Sequence, residues 1–331
     1  MKAIVHHTYG PAGLLEVREA ERPRPADDEV LVRVHAAGID RGVLHFMTGL
    51  PYPLRLVGNG LRAPKSPYLG RELAGVVEET GSEVTDLDPG DEVFGIGEGT
   101  FAEFACAKAA KLAPKPANLT FPQAAALGVS GLTALQGLRD HGRVGPGLHV
   151  LITGASGGVG TFAVQLAAVF GAEVTAVCRT SKTDLVHSLG ADHVIDHTRE
   201  DLLGAQGKHR YDVILDLAGN PSLSRLRHAL TPKGTAVIGG GETSGRWLGG
   251  YDRQLRASLL NPFVPQQLRT YICAEKRVDL LVLKDLCEAG KLTPSVERTY
   301  PLAETAAALR HLEQGHARGK LVIVPFAPTL P

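Results

Sequence analysis

The sequence has no surplus of charge of either sign: 35 Lys and Arg stand against 35 Asp and Glu over 331 residues. That balance removes the electrostatic basis for binding nucleic acid or an anionic membrane. No apolar run approaches the about 20 residues that a membrane-spanning helix needs. Met1-Lys-Ala-Ile-Val5 reads as a strand rather than a secretory signal, so a cytoplasmic location is expected. Cysteine is scarce. The four residues, Cys106, Cys178, Cys273 and Cys287, are far apart and form no C-x-x-C pair, which fits thiols kept reduced. No repeat or low-complexity tract is present, and the tail Pro325–Pro331 is expected to be loosely held.

What is present is a glycine-rich turn in a telling place. Gly154, Ala155, Ser156, Gly157, Gly158, Val159 and Gly160 lie between the apolar run His149-Val-Leu-Ile-Thr153 and the helically spaced run Thr161–Phe170. This predicts a strand, a tight turn and a helix. Glycines allow a sharp turn and a close approach to a pyrophosphate, which would rest on the unpaired N–H groups at the helix start. A second strand, Ala172–Cys178, follows Gly171 and completes a strand–helix–strand unit of about thirty residues, so a dinucleotide is the leading ligand.

The end of that second strand lacks an acid. A cofactor with a free ribose 2′-OH is usually met there by Asp or Glu. This chain has Cys178-Arg179-Thr180-Ser181-Lys182, with no acid before Asp184. Two cations and two hydroxyls suit a 2′-phosphate, which favours NADP(H) over NAD(H). The same residues also read as the solvated start of a helix over Lys182–Leu189.

Pattern divides the chain. Residues 1–122 contain short β-like runs broken by Pro and Gly, among them Val30–His35, Leu73–Val77, Asp91–Phe94 and Ala102–Ala105, which predict a partly open β-barrel. Residues 123–291 alternate helices with buried strands, at Asp212–Asp216, Thr235–Ile238 and Arg269–Cys273, as a doubly wound parallel sheet does. Residues 292–331 return to the mixed style, with strands at Val296–Pro301 and Lys320–Val324 about a helix from Leu302 to Gln314, and are expected to fold back onto the first part. The fold class is α/β with two domains.

Several stretches together resemble one family: Ala36-Ala-Gly-Ile39, Leu69–Val77, Pro89–Phe94, Leu132–Gly137, Gly154–Gly160, Leu189–Ile195 and Gly315–Lys320. Over nearly its whole length the chain is similar to zinc-independent medium-chain dehydrogenase/reductases of the quinone oxidoreductase-like branch. The resemblance implies a GroES-like catalytic domain, a Rossmann domain and substrate in the cleft between them. It also implies NADPH-dependent reduction of quinones or of C=C bonds conjugated to a carbonyl, and a homodimer in which the strand near Arg269–Cys273 extends the sheet across a two-fold axis.

Zinc is not expected. Zinc-dependent relatives use a Cys where this chain has Asp40 and a Gly-His-Glu where it has Gly70-Arg71-Glu72, and their four-cysteine lobe has no counterpart between Gly90 and Lys111. Reduction of an activated acceptor then needs positioning, donors aimed at the developing oxyanion and a proton source. The resemblance places the substrate loop at Asp40–Tyr52. Asp40 stands where relatives usually carry Asn, His45 is the best-placed donor if it faces the cleft, and Tyr52 is a weaker candidate. Asp40 could raise the pKa of His45, or could simply cap the following helix, and His45 could be a packed core histidine. A carboxylate at this position would favour a cationic acceptor, so C=N reduction is an alternative.

By match to the family, Thr133 should lie near the nicotinamide or phosphates, Lys182 at the 2′-phosphate, and His197 where a Tyr flanks the adenine ribose phosphate. Gly239, Gly240 and Gly241 would let the nicotinamide end approach the backbone. Trp247, Tyr251 and Phe263 are candidate walls of the substrate pocket, with core packing as the other reading. A dedicated biosynthetic reductase and a non-catalytic NADPH-binding sensor remain as alternative functions.

Overall fold

A computed structural model describes residues 1–56, 60–201, 210–219, 221–240 and 245–326; Gly241 and most of the Pro325–Pro331 tail lie outside these. The chain begins with β1 (Lys2–Val5), β2 (Glu16–Glu19), β3 (Glu29–Ile39) and α1 (Gly42–Thr48). There follow β4 (Glu72–Thr80), β5 (Glu92–Ile96), β6 (Phe104–Lys108), β7 (Leu112–Pro114), α2 (Phe121–Ala125) and α3 (Gly128–Gln136). The middle runs β8 (His149–Thr153), α4 (Gly158–Val169), β9 (Glu173–Cys178), α5 (Thr183–Ser188), β10 (His193–Asp196), β11 (Tyr211–Asp216), α6 (Leu223–Ala229), β12 (Leu230–Ile238), α7 (Tyr251–Leu260) and β13 (Gln267–Thr270). The chain ends with α8 (Arg277–Glu288), β14 (Val296–Pro301), α9 (Thr305–Glu313) and β15 (Lys320–Val324). Among the described residues no helix is long and apolar enough to cross a membrane.

Two units form. The first comprises residues 1–132 and 275–331, the second residues 133–274. In the first, a GroES-like partly open barrel, the strand order is β14-β15-β3-β4-β5-β7, with β6 also on β3. The long β3 serves three neighbours in succession: Glu29–Arg33 pair with β6, Val30–Ala36 with β4, and Ala37–Ile39 with β15, all antiparallel. Val30, Val32, Val34, Leu73, Phe101 and Ile323 fill its core. A capping box starts α2, where the Thr120 hydroxyl accepts from the Gln123 N–H and the Gln123 amide oxygen accepts from the Thr120 N–H at 3.0 Å.

A buried ion pair lies inside this unit. Glu72, at the start of β4, is fully buried and meets the equally buried Lys320 at the start of β15. Lys320 also donates to the Ser130 hydroxyl at 3.1 Å, and the Ser130 N–H donates to Glu72 at 3.2 Å. Two glycines make the room: a Cβ at Gly38 would strike the Glu72 carboxylate and the Ala125 carbonyl, and one at Gly128 would press on Glu72 Cγ at 3.1 Å. Burial pushes the Glu72 carboxyl up, Lys320 pulls it back, and the neighbouring Asp40 carboxylate adds to the rise.

The second unit is a Rossmann sheet, all parallel, in the order β10-β9-β8-β11-β12-β13. Continuous burial along β8 and β9 explains their unbroken apolar text, since helices cover both faces. Helix α4 is buried along nearly its whole length, from Gly160 to Ala167. One expected strand is shorter than its apolar text. β13 stops at Thr270 because Tyr271 leaves the sheet, donates its hydroxyl to the Thr133 carbonyl at 2.6 Å and stacks on His141.

Removing one member of the buried pair strands the other without solvent. Lys320→Met is expected to cost about 3–5 kcal/mol in urea unfolding. Adding Glu72→Gln to that variant should recover most of the loss, because a neutral amide still accepts from Ser130.

Candidate functional site

Rossmann sheets bind ligands at the carboxyl ends of their strands where the order reverses, here between β8 and β11. The turn after β8 has the geometry its glycines imply. Gly154 adopts a φ of +67°, which only glycine takes without strain. A Cβ at Gly160 would run into the Gly154 carbonyl, so the helix start can sit this close to the strand end only without a side chain. Gly157 is extended and precedes α4, whose first turn holds Gly158, Val159 and Gly160. Ala155 and Ser156 are buried, with the Ala155 N–H on the Val177 carbonyl at 3.1 Å. The result is a concave backbone seat at the positive end of a twelve-residue helix, and it fits a pyrophosphate.

Beneath the reversal lies a network absent from the sequence reading. Thr153 donates to Asp216 at 2.5 Å and accepts from the N–H groups of Leu217 and Ala218 at 3.0 and 3.1 Å. Asp216 is fully buried and pairs with Arg253 of α7, which also donates to the Pro221 carbonyl at 2.8 Å. The Asp216 carbonyl accepts from both Gly239 and Gly240 at 3.0 Å, and a Cβ at Gly240 would strike the Leu217 carbonyl. Asp216, through its carboxylate and its carbonyl together, therefore ties the tips of β8, β11 and β12. Its only sequence signal was an Asp ending each of two apolar strands, Asp196 and Asp216.

The expected 2′-phosphate residues are not alike. Arg179, Thr180, Ser181 and His197 are exposed, with the His197 N–H on the Cys178 carbonyl at 3.1 Å. Lys182 is 8% exposed and lies beside the Cys178 thiol. The sheet also brings in an acid that local sequence could not place. Asp196, at the tip of β10, pairs in register with Cys178 and accepts the hydroxyls of Thr180 and Thr198. Thr133 sits in α3 with its carbonyl taken by Tyr271.

In the barrel unit, Asp40 follows β3, half-buried, with its carboxylate beside Glu72. Its Oδ2 is buried and has no hydrogen-bond partner among the described residues. His45 Nδ1 lies 2.7 Å from the Leu50 carbonyl, so that nitrogen carries the hydrogen. His45 Nδ1 thus meets the Leu50 carbonyl, and the Asp40 carboxylate acts on Glu72. Asp40 is not a side-chain cap either: α1 begins from Arg41 with no side-chain cap bond. The Arg55 guanidinium lies over the Tyr52 ring at 4.9 Å and over Tyr9 at 4.3 Å, which fixes the end of the loop.

At the positions of the zinc ligands, Arg71 pairs with Glu275, which also takes Lys111 at 2.7 Å. Among the described residues no group of three or more His, Cys, Asp or Glu is placed to hold a metal ion. None of the four cysteines forms a disulfide, and burial pushes the Cys106 and Cys178 thiols up to about 11 and Cys287 to about 12. Trp247, Tyr251 and Phe263 are 74%, 42% and 84% exposed. With Leu248, Leu255 and Leu259 they make an apolar face along and around α7, so within this unit neither core packing nor an enclosed pocket describes them.

Hydroxyl hydrogen bonds from Thr180, then Thr198, hold the Asp196 carboxyl down to about 2 against an ordinary 3.8. A depressed carboxyl stabilises the fold above its ordinary value and loses that contribution as pH falls through the folded value. The Tm difference between wild type and Asp196→Asn should therefore hold steady down to about pH 4 and vanish near pH 2. A difference that persists into the acid range would mean that the side chain acts by packing.

Residues 26–117 match the family described as alcohol dehydrogenase GroES-like domain, and residues 189–323 that described as zinc-binding dehydrogenase. The chain is 32% identical to the chloroplastic NADPH-dependent alkenal/one oxidoreductase of Arabidopsis thaliana, over 98% of this chain and 80% of that protein. It is 31% identical to a chloroplastic quinone oxidoreductase of Triphysaria versicolor, over 98% of both. Among solved structures, Escherichia coli quinone oxidoreductase complexed with NADPH matches with a TM-score of 0.84 at 27% identity, across 98% of this chain and 100% of that one. Barrel, Rossmann order, glycine seat and these likenesses agree: the chain belongs to the oxidoreductases of the medium-chain dehydrogenase/reductase superfamily, in its quinone oxidoreductase-like branch.

Proposed function

We propose that the protein is a zinc-free, NADPH-preferring reductase of quinones or of C=C bonds conjugated to a carbonyl. The observation that carries the reading is the backbone seat at the start of α4, with Arg179 exposed at the tip of the neighbouring β9. Bound there, a reduced nicotinamide cofactor supplies the hydride. Gly154–Gly160 hold the pyrophosphate through backbone N–H groups, and Arg179, Ser181 and Lys182 receive the 2′-phosphate. The Asp196 carboxylate, which would repel that phosphate, is turned onto Thr180 and Thr198 and neighbours Arg199. Gly239 and Gly240 admit the nicotinamide end to the backbone.

On the acceptor side, His45 and Tyr52 orient the substrate oxygen and hold the proton it needs. Arg71 is a cation where a zinc site needs a ligand, which supports a route without metal. Dimerisation is part of the proposal. β13 is an edge strand, and the apolar face at Leu255, Leu259 and Phe263 beside it would be covered by a second copy.

In chelator-treated buffer the enzyme should oxidise NADPH with a quinone or enone and give a product heavier by two hydrogens. It should prefer NADPH over NADH, and Arg179→Ala should raise the NADPH KM at least about tenfold, the weight of one charge-assisted hydrogen bond, with little change for NADH. Equal use of both cofactors would overturn the assignment of Arg179. Separately, sedimentation should show a dimer that Leu255→Asp with Leu259→Asp converts to monomer.

A further inference from the structure

Within the barrel unit a cavity of about 320 Å³ opens beside α1, and Arg71 forms part of its wall. Phe46 and Tyr68 give it aromatic surface, and Lys65 and Glu98, of opposite charge, also line it. The Arg71 side chain is open to a ligand: it is 36% exposed, and its guanidinium lies 5.8 Å from the centre of the Phe46 ring, another wall of the same cavity.

The ion pair that Arg71 makes does not use up its charge. One oxygen of Glu275 accepts from Arg71 Nη2, and the other accepts from Lys111 at 2.7 Å. Two cations thus share one carboxylate, and one positive charge is left over. Lys111 alone would neutralise Glu275, and of the two cations Arg71 is the one that lines the cavity. The surplus charge is therefore presented there. The guanidinium has no other hydrogen-bond partner among the described residues, so most of its five N–H donors remain to be used. Its planar fork matches a carboxylate, and a surplus of one charge suits a monoanion better than a phosphate dianion.

We propose that Arg71 is a specificity-determining residue: it receives a carboxylate carried by the acceptor substrate, whose flat unsaturated body lies against Phe46 and Tyr68. The substrate class is then an enone or quinone bearing an acid group, rather than a neutral one. A neutral analogue forgoes the charge-assisted hydrogen bonds, and this is the source of the discrimination. The proposal rests on the reductase reading above.

The test compares para-carboxybenzylideneacetone with its neutral, near-isosteric carboxamide, under NADPH, on wild type, Arg71→Met and Arg71→Lys. Substitution of Arg71 leaves Glu275 paired with Lys111, so no buried charge is stranded. The ratio of the two kcat/KM values, carboxylate over carboxamide, should be at least about tenfold higher in wild type than in Arg71→Met, the worth of one charge-assisted hydrogen bond. The difference should lie in the KM of the carboxylate compound, and Arg71→Lys, which keeps the charge without the fork, should restore part of it. In the full-length wild type the Arg71 side-chain Nε–H resonance, assigned by its absence from Arg71→Lys, should move on addition of benzoate and not of benzamide. An equal ratio in wild type and Arg71→Met, or an Nε–H resonance that benzoate leaves in place, would overturn the proposal. Absence of turnover with both enones would instead strike the reductase reading, and the NMR arm would still decide the role of Arg71.

Discussion

The ion pair between Glu72 and Lys320 is the constraint about which the barrel unit is arranged. Its partners stand 248 positions apart in sequence, and Ser130 supplies a third anchor from α3. A carboxylate and an ammonium taken out of water are tolerated only when the remaining hydrogen-bonding capacity is met, as Ser130 meets it from both its N–H and its hydroxyl. Separate pieces of family-like text acquire one physical reason. The glycine of Ala36-Ala-Gly-Ile39, the acid of Gly70-Arg-Glu72, Gly128 and the lysine of Gly319-Lys320 all converge on this centre. The C-terminal strand is thereby pinned to the same point from which the Asp40 loop departs.

The Rossmann unit uses the same device with a different outcome. Asp216 and Arg253 are buried together; the carboxylate also accepts from the Thr153 hydroxyl and the Gly219 N–H, while the Asp216 carbonyl takes the N–H groups of Gly239 and Gly240. Here a charge organises strand tips rather than joining distant segments. Loops that would otherwise fray are held at the one edge of the sheet where a ligand can meet free N–H groups. Rigidity beneath the seat and openness above it are both needed for a cofactor that must come and go.

Legibility in sequence followed distance along the chain. The seat at Gly154–Gly160 was readable because strand, turn and helix are contiguous and each leaves a local mark. The barrel strands were readable as short runs broken by Pro and Gly, and β14 and β15 fall on their expected bounds. What was missed joins residues that sequence does not bring together: Glu72 with Lys320, Asp216 with Arg253, Asp196 with Thr180, His6 with Pro67. Orientation was equally hidden. No pattern reveals that Asp40 lies by Glu72, that Lys182 is covered while Arg179 is exposed, or that Trp247 and Phe263 face outward.

On the proposed reading, the charges near the Asp40–Tyr52 loop bear on which acceptors suit it. Asp40 and Glu72 set two carboxylates against the single ammonium of Lys320, and the Arg71–Glu275–Lys111 cluster is the nearby cationic group. Negative charge developing on a substrate oxygen gains from the second group and loses near the first. In the proposed reduction an acceptor would therefore present its oxygen away from Asp40.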